Sequence, residues 1–405
     1  MLGRDAVGAV GRLVESVLSV KPLVAGLAAP VRVVPVSRGA GTASSTHWSA
    51  GQWRALRGLL DRVTRSSGVA GLVLSRREVF DDLLVFERVV SERLALADWM
   101  NSAATVPIDL LGEVDKVVAD TVADSFDAFS HKETITSTDG MPLNVYAAGQ
   151  GDESVVLVPA CGMPAVLAES WVRFFARDYR VLTWESRGLF GAAGHHGEYA
   201  MDITAQADDL SAVLEHYGVE TAHVVGLCGG AVIALVAAAQ RPASIASLSL
   251  WHGAYGFADS CPVTRHQESL IELMTAAARS RAAAAAVHAA FCQVMLTSTP
   301  ADVAHLVLYP YASPELLYRY CRLNTGITST DVGTYLTRVR QPTLVVTSQD
   351  DDIAHPVGSE RVAAGLSNGH LRVEAHGDHI SLFNADESLL RVAGDFMAQQ
   401  RAKTT

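Results

Sequence analysis

Several absences in this 405-residue sequence exclude whole classes of protein. The apolar stretch at residues 14–34 is interrupted by Glu15, Lys21, Pro22 and Pro30, so no uncharged run approaches the roughly 18 residues that a transmembrane helix needs. Positive charge is scarce, because 32 Lys and Arg stand against 43 Asp and Glu, which gives a net charge of −11. Phosphate binding needs a basic surface. We therefore expect neither a membrane span nor a nucleic-acid partner.

Cysteine and cofactor motifs are sparse as well. The five cysteines stand at positions 161, 228, 261, 292 and 321, without a Cys-x-x-Cys pair or a metal-type Cys/His cluster. Disulfide frameworks are typical of short secreted chains, whereas this chain is long and 49% hydrophobic. We expect five reduced thiols in a cytoplasmic protein. The sequence contains no Walker or dinucleotide-binding glycine motif, so it predicts no cofactor, and it predicts no metal.

Two kinds of hydrophobic pattern divide the chain. Residues 1–131 show helical spacing, which predicts an N-terminal helical domain. From residue 132 short β-rich runs alternate with helical stretches, which predicts an α/β fold with a mostly parallel eight-stranded sheet and helices on both faces. The predicted strands are Glu133–Thr138, Leu143–Ala148, Val155–Pro159, Arg180–Glu185, Ala222–Val225, Leu248–Trp251, Thr343–Thr347 and Leu371–Ala375.

A helix-rich insertion interrupts the strand pattern. Residues 254–340 contain no strand-like run, and we expect them to form a helical lid over the carboxyl edge of the sheet, where α/β sites lie. The α/β core would then consist of residues 132–253 and 341–405. The last predicted helix of this core is Ser381–Gln399.

The most informative motif is Gly226-Leu227-Cys228-Gly229-Gly230, between a predicted strand and a predicted helix. It has the form G-x-S-x-G with cysteine in place of serine, in the strand–turn–helix context that a nucleophile elbow requires. Glycines permit the tight turn that exposes the central side chain. The amino terminus of the next helix favours a thiolate there. We therefore predict that Cys228 is a nucleophile.

An acid and a histidine follow the last two predicted strands. Asp350-Asp351-Asp352 comes after the first of them, and His376-Gly377-Asp378-His379 comes after the second. The order nucleophile, acid, histidine resembles that of the α/β-hydrolase superfamily, from about residue 132 to the carboxyl terminus. This resemblance selects Asp351 and His379 as the partners of Cys228.

Further site residues follow from the same resemblance. Pro159-Ala160-Cys161-Gly162-Met163 stands where the superfamily commonly has His-Gly-x, which implies an oxyanion hole made by the amides of Gly229 and Met163. Cys161, Trp251 and His252 are predicted to line the substrate pocket. The loop histidines His195 and His196 are interpreted as surface residues.

These residues predict an enzyme that acts on an acyl ester or thioester through a Cys-His-Asp triad, by acyl transfer, cyclisation or hydrolysis. Related enzymes with a cysteine at this place include polyhydroxyalkanoate synthases and Dieckmann cyclases. The N-terminal helical extension resembles α/β-hydrolase-fold enzymes of tetronate and polyketide pathways most, which implies antibiotic biosynthesis. Two alternatives stay open: elimination of acetate by a lyase with a His–Asp base, and a non-catalytic homologue that binds a small ligand.

The expected partner is a small acyl substrate, either free or attached to a carrier protein. Arg54, Arg57, Arg62 and Arg65 occur on one predicted helix and could meet an acidic carrier. A homodimer is a further hypothesis.

Overall fold

The computed structural model describes residues 4–27, 29–37, 48–76, 80–102, 111–190, 199–259 and 261–404. The chain divides into two compact units. The first comprises Met1–Phe129 and His288–Ser313, and the second comprises Ser130–Val287 and Pro314–Thr405. No helix in the described ranges is long and apolar enough to cross a membrane.

The first unit is mainly helical. In chain order its N-terminal elements are α1 (Arg4–Gly26), β1 (Val31–Val33), α2 (Ala50–Ser66), β2 (Leu72–Leu74), α3 (Val85–Leu94), α4 (Leu96–Ser102), α5 (Leu111–Ala123) and α6 (Phe126–Phe129). The strands β1 and β2 pair in parallel. Helix α2 begins with a capping box in which Ser49 and Gln52 satisfy each other's backbone amides. Its apolar stripe Leu56, Leu60 and Val63 is buried, as the helical spacing predicts.

The arginines of α2 are not equivalent. Arg62 donates to Asp115 over 2.9 Å, whereas Arg54, Arg57 and Arg65 are exposed. Docking of an acidic carrier on this helix stays a prediction.

The second unit is built on one eight-stranded sheet. Its strands are β3 (His131–Thr136), β4 (Pro142–Ala148), β5 (Ser154–Val158), β6 (Arg180–Trp184), β7 (Ala222–Leu227), β8 (Ile245–Trp251), β9 (Thr343–Ser348) and β10 (Gly369–Glu374). The order across the sheet is β10-β9-β8-β7-β5-β6-β4-β3. Only the β3–β4 and β4–β6 pairs are antiparallel. The predicted α/β-hydrolase fold is confirmed, and each of the eight predicted strands overlaps an observed one.

The centre of the sheet is buried on both faces. Every residue of β5 and of β7 is buried, as expected for parallel strands covered by helices. Strands β5, β6 and β7 are followed by α7 (Glu169–Phe175), α8 (Ile203–His216) and α9 (Gly229–Gln240) respectively. Helix α9 is apolar on all sides and buried over almost its whole length. It therefore fixes the turn that precedes it.

The predicted lid interval does not form one body. It contains α10 (Arg265–Ala278), α11 (Arg281–Ser298), α12 (Ala304–Val307), α13 (Pro314–Thr328) and α14 (Gly333–Leu336). Residues 288–313 belong to the first unit, where α12 packs on α1 and α3. Helices α10, α13 and α14 belong to the second unit. The predicted bounds 254–340 therefore do not coincide with one compact unit, because helical spacing does not reveal which surface a helix buries. A lid formed by the helices of the second unit stays a prediction.

The carboxyl-terminal part also corrects one prediction. Helix α15 (Pro356–Gly365) lies between β9 and β10, and α16 (Glu387–Thr404) ends the described chain. The predicted helix Ser381–Gln399 is in fact a 3-10 turn at His379–Leu382 followed by α16. The Asp378 side chain accepts from the Ser381 amide, and that of Asp386 accepts from the Leu389 amide. Each aspartate caps its own helical segment, which separates the two.

We predict that two glycine substitutions separate backbone strain from a steric clash. Gly149 and Gly218 both have positive φ, at 71° and 63°. A methyl group on Gly149 would lie 2.2 Å from the Tyr179 carbonyl oxygen, whereas one on Gly218 would meet nothing within 4 Å. Gly218→Ala should lower the free energy of unfolding by about 1–2 kcal/mol. Gly149→Ala should lower it by at least about 3 kcal/mol. Chemical denaturation measures both losses. Equal losses would contradict the close contact between Gly149 and the Tyr179 carbonyl oxygen.

Candidate active site

Cys228 occupies a strained turn between β7 and α9. Its φ and ψ are 55° and −122°, a conformation that residues with side chains rarely adopt. The Cys228 amide donates to the Trp251 carbonyl oxygen over 2.9 Å, which ties the turn to β8. A methyl group on Gly230 would lie 2.3 Å from the Val158 carbonyl oxygen. Glycine is therefore required there for the close approach of α9 to β5.

The turn leaves the Cys228 side chain partly exposed. Because Cys228 immediately precedes α9, its sulfur lies at the amino terminus of a 12-residue helix. The helix dipole and the unpaired amides of the first turn favour negative charge at that place.

Asp351 and His379 meet as the sequence predicted. Oδ2 of Asp351 lies 3.0 Å from Nδ1 of His379, and the exposed fractions of the two side chains are 0% and 4%. Oδ1 of Asp351 accepts from the Ile353 and Ala354 amides over 3.0 and 2.8 Å. The competing residues lie elsewhere, since Asp350 and His376 are exposed and form a pair of their own at 3.4 Å.

Neighbouring side chains shift the pKa values of Asp351 and His379 in opposite directions. Burial by itself raises the pKa of Asp351, but hydrogen bonds from His252 and His379 hold that pKa well below its ordinary value. Burial by itself lowers the pKa of His379, but negative charge on Cys228 and the Asp351 carboxylate hold that pKa well above its ordinary value. A side-chain hydrogen bond with Cys228 is a further cause of the raised pKa of His379. The site therefore favours an imidazolium at His379 beside an ionised Asp351 carboxylate.

His252 has a different place from the one predicted. We expected it to line the substrate pocket, but its Nδ1 lies 2.8 Å from Oδ2 of Asp351, the same oxygen that contacts His379. Its side chain is 3% exposed. Sequence reasoning missed this contact, although the position of His252 directly after β8, next to the strand that carries the acid, is the signal that could have revealed it.

The two histidines and Asp351 also have to be considered as metal ligands. Their donor atoms lie within 4.8 Å of one another. Both Nδ1 atoms, however, are within hydrogen-bond distance of Oδ2 of Asp351. The geometry is that of two imidazoles donating to a carboxylate, so we treat the group as a hydrogen-bonded cluster.

The predicted oxyanion hole needs one correction. The Met163 amide donates to the Ala160 carbonyl oxygen over 3.1 Å within a turn, so it is already used. The amide nitrogen of Cys161 lies near the elbow instead, because a methyl group on Gly229 would be 3.8 Å from it. The amides of Gly229 and Cys161 are therefore the pair available beside Cys228.

Cys161 contributes its backbone and not a reactive thiol. Burial raises the pKa of the Cys161 thiol far above its ordinary range, and negative charge on Cys228 raises it further. A buried neutral thiol is a poor nucleophile. The side-chain nitrogen Nδ2 of Asn324 in α13 donates to Cys161 Sγ over 3.6 Å. Ile327 of the same helix lies against Gly229, so α13 borders the elbow.

Trp251 is not a pocket residue. Its side chain is fully buried, its ring packs edge-on against Trp171 with centroids 4.9 Å apart, and its Nε1 donates to Ser249 over 2.7 Å. The predicted substrate contact was wrong because the side chain points into the core. His195 and His196 lie outside the described residues.

Comparison with known proteins places this geometry in a family context. The family described as "Serine aminopeptidase, S33" matches residues 155–386, more than half of the chain. The "Putative carbamate hydrolase RutD" of Rhizobium rhizogenes is 27% identical over 212 residues, which cover 51% of this chain and 78% of the relative. That of Stutzerimonas stutzeri is 24% identical over 277 residues, covering 64% and 92%.

Solved structures show the same fold. An enol-lactonase from Burkholderia xenovorans LB400 superimposes with a TM-score of 0.52 at 16% identity, covering 66% of this chain and all of that one. A thermophilic esterase from Thermogutta terrifontis gives a TM-score of 0.53 at 19% identity, covering 67% and 99%.

We predict that the charge of Cys228 controls the titration of His379. An ordinary histidine titrates near about 6.5. Because the pKa of His379 is raised, its imidazolium persists above that value and is lost only as pH rises through the raised pKa. Cys228→Ala removes the charge and the hydrogen bond that raise the pKa of His379, and should therefore lower that pKa. Histidine ring NMR measures the shift, with Cys292→Ala, a cysteine that contacts His288 instead, as the control. A His379 pKa that is equal in wild type and both variants would contradict this coupling between Cys228 and His379.

Proposed function

The chain belongs to the serine aminopeptidase S33 family of α/β hydrolases, and on that premise we propose that it cleaves an acyl ester or thioester through a covalent S-acyl enzyme at Cys228. The observation that carries the proposal is the cysteine in the strained turn before α9, beside a histidine whose pKa is raised by the cysteine's own charge. Membership of this family makes the chain an α/β-hydrolase-fold enzyme. The cysteine in place of serine is what sets its chemistry apart.

In the first step the Cys228 thiol gives its proton to Nε2 of His379, which holds it as an imidazolium. The sulfur attacks the carbonyl carbon and forms a C–S bond, while the carbonyl oxygen becomes an oxyanion. The amides of Gly229 and Cys161 stabilise that oxyanion. The bond to the leaving group then breaks, and His379 returns the proton to the departing oxygen or sulfur.

In the second step an acceptor attacks the S-acyl enzyme and the C–S bond breaks. The acceptor gives its proton to His379, and Cys228 leaves as a thiolate. With water the outcome is hydrolysis. With an amine, an alcohol, a thiol or an acidic C–H group the outcome is acyl transfer, or cyclisation if the acceptor belongs to the same molecule. Asp351 holds the imidazole in the tautomer that both steps need.

The relatives inform the substrate class. The RutD proteins carry the name of carbamate hydrolases, and a carbamate carbonyl is open to the same attack as an ester or thioester carbonyl. We include it among the candidate substrates. The biosynthetic setting is proposed on the resemblance to tetronate and polyketide enzymes, which combine a cysteine elbow with a helical extension.

We predict that a small acyl thioester leaves an acyl group on the protein, detected by intact mass, and that Cys228→Ala abolishes the adduct. Cys161→Ala is the matched control and should leave it intact, because only the Cys161 amide is used. If Cys228→Ala keeps its turnover while His379→Ala loses it, the covalent mechanism is wrong. That result would favour elimination with the His379–Asp351 pair as base.

We also predict that Asp351 and its neighbour Asp350, in the loop after β9, differ sharply in how much their substitution lowers the acylation rate. Asp351→Asn should lower the acylation rate by about a hundredfold or more, because the amide cannot support the same tautomer and charge. Asp350→Asn changes only an exposed pair with His376 and should keep the rate within about twofold. Steady-state kinetics with one thioester compares the two, and equal effects would overturn the choice of acid.

A further inference from the structure

Asp351 is held by four hydrogen bonds, which is its full capacity as an ionised carboxylate. Oδ1 accepts from the Ile353 and Ala354 amides, and Oδ2 lies within hydrogen-bond distance of Nδ1 of His252 and Nδ1 of His379. An ionised carboxylate only accepts. Both Nδ1 atoms must therefore carry the proton, so Nε2 of His379 is the nitrogen that faces the reaction. One of the four donors, His252, has no role in the triad.

The backbone at His252 is strained in a way that serves this contact. Its φ is 49°, a left-handed conformation that costs a residue with a side chain on the order of 1–3 kcal/mol. The His252 amide donates to the Val346 carbonyl oxygen of β9 over 2.9 Å, which fixes the residue at the end of the sheet. Its neighbour Trp251 accepts from the Cys228 amide. Two consecutive residues thus hold the nucleophile turn and the acid.

The imidazole of His252 is also placed beside that of His379. The two ring centroids are 5.9 Å apart and the rings are nearly perpendicular, at 86°. Both rings are buried. This arrangement leaves Asp351 little freedom to turn, since a rotation that improved one imidazole contact would break the other.

We propose that His252 is a positioning residue that donates Nδ1–H to Asp351 and so fixes the carboxylate that orients His379. The acid of this site is then a His–Asp–His cluster in which His379 exchanges protons with Cys228 and substrate, while His252 keeps its Nδ1 proton on Asp351. The proposal deepens the proposed function and rests on it for the identity of the reacting thiol.

Three variants test the proposal. His252→Asn carries an amide N–H close to the position of Nδ1, and asparagine tolerates the left-handed conformation. His252→Phe keeps the ring volume without a donor. His252→Gly lacks the donor and removes the backbone strain, so it provides a folded comparison if the phenylalanine variant is unstable.

The first readout is the rate of Cys228 alkylation by iodoacetamide, which needs no substrate. We expect the phenylalanine and glycine variants to react about tenfold to a hundredfold more slowly than wild type, the effect of one lost hydrogen bond to a buried charge. We expect His252→Asn to react within about threefold of wild type, because its side-chain N–H restores the hydrogen bond to Asp351. Wild-type rates in the phenylalanine and glycine variants, or no recovery with asparagine, would overturn the proposal.

The second readout is turnover of an acyl thioester. Positioning predicts a lower kcat with little change in KM for the phenylalanine variant, and recovery with asparagine. A substrate contact through the ring would instead raise KM in the asparagine variant, which would overturn the proposal. Failure of the proposed function has a separate signature, because wild-type protein would then form no acyl adduct at Cys228 while the alkylation series kept its order.

Discussion

The site depends on one buried charge, the Asp351 carboxylate. Its side chain is fully shielded from solvent, and a shielded carboxylate is tolerated only when its oxygens are hydrogen-bonded. Two backbone amides and two imidazoles supply those bonds. The same bonds keep the pKa of Asp351 low, so the carboxylate stays charged and can hold His379 as an imidazolium beside Cys228.

The parallel sheet explains how these groups meet. In the order β7, β8, β9, β10, neighbouring strands are followed by Cys228, His252, Asp351 and His379 respectively. On the other side of β7, the loop after β5 carries Cys161. Carboxyl ends of parallel strands meet at one edge, so residues spread over more than 200 positions are brought together by strand order alone. The function proposed here therefore needs no further device to assemble the cluster.

Much of this arrangement could be predicted from the sequence, because it depends on local pattern. The eight strands follow from short apolar runs, and the resemblance to the α/β-hydrolase superfamily separated Asp351 from its acidic neighbours. The errors concern information that local pattern lacks. The Met163 amide is consumed by a turn, the Trp251 side chain faces the core, and residues 288–313 pack in the first unit. Each of these depends on which groups meet in three dimensions.

The claim that two histidines share one carboxylate oxygen can be tested directly by proton NMR of the wild-type protein with ¹⁵N-labelled histidine and ¹³C-labelled aspartate. Imidazole N–H protons that donate to a buried carboxylate exchange slowly and are shifted downfield. We expect two such protons, one bound to Nδ1 of His379 and the other to Nδ1 of His252, both correlated with the same Asp351 carboxyl carbon. A single proton, assigned to His379 alone, would contradict it.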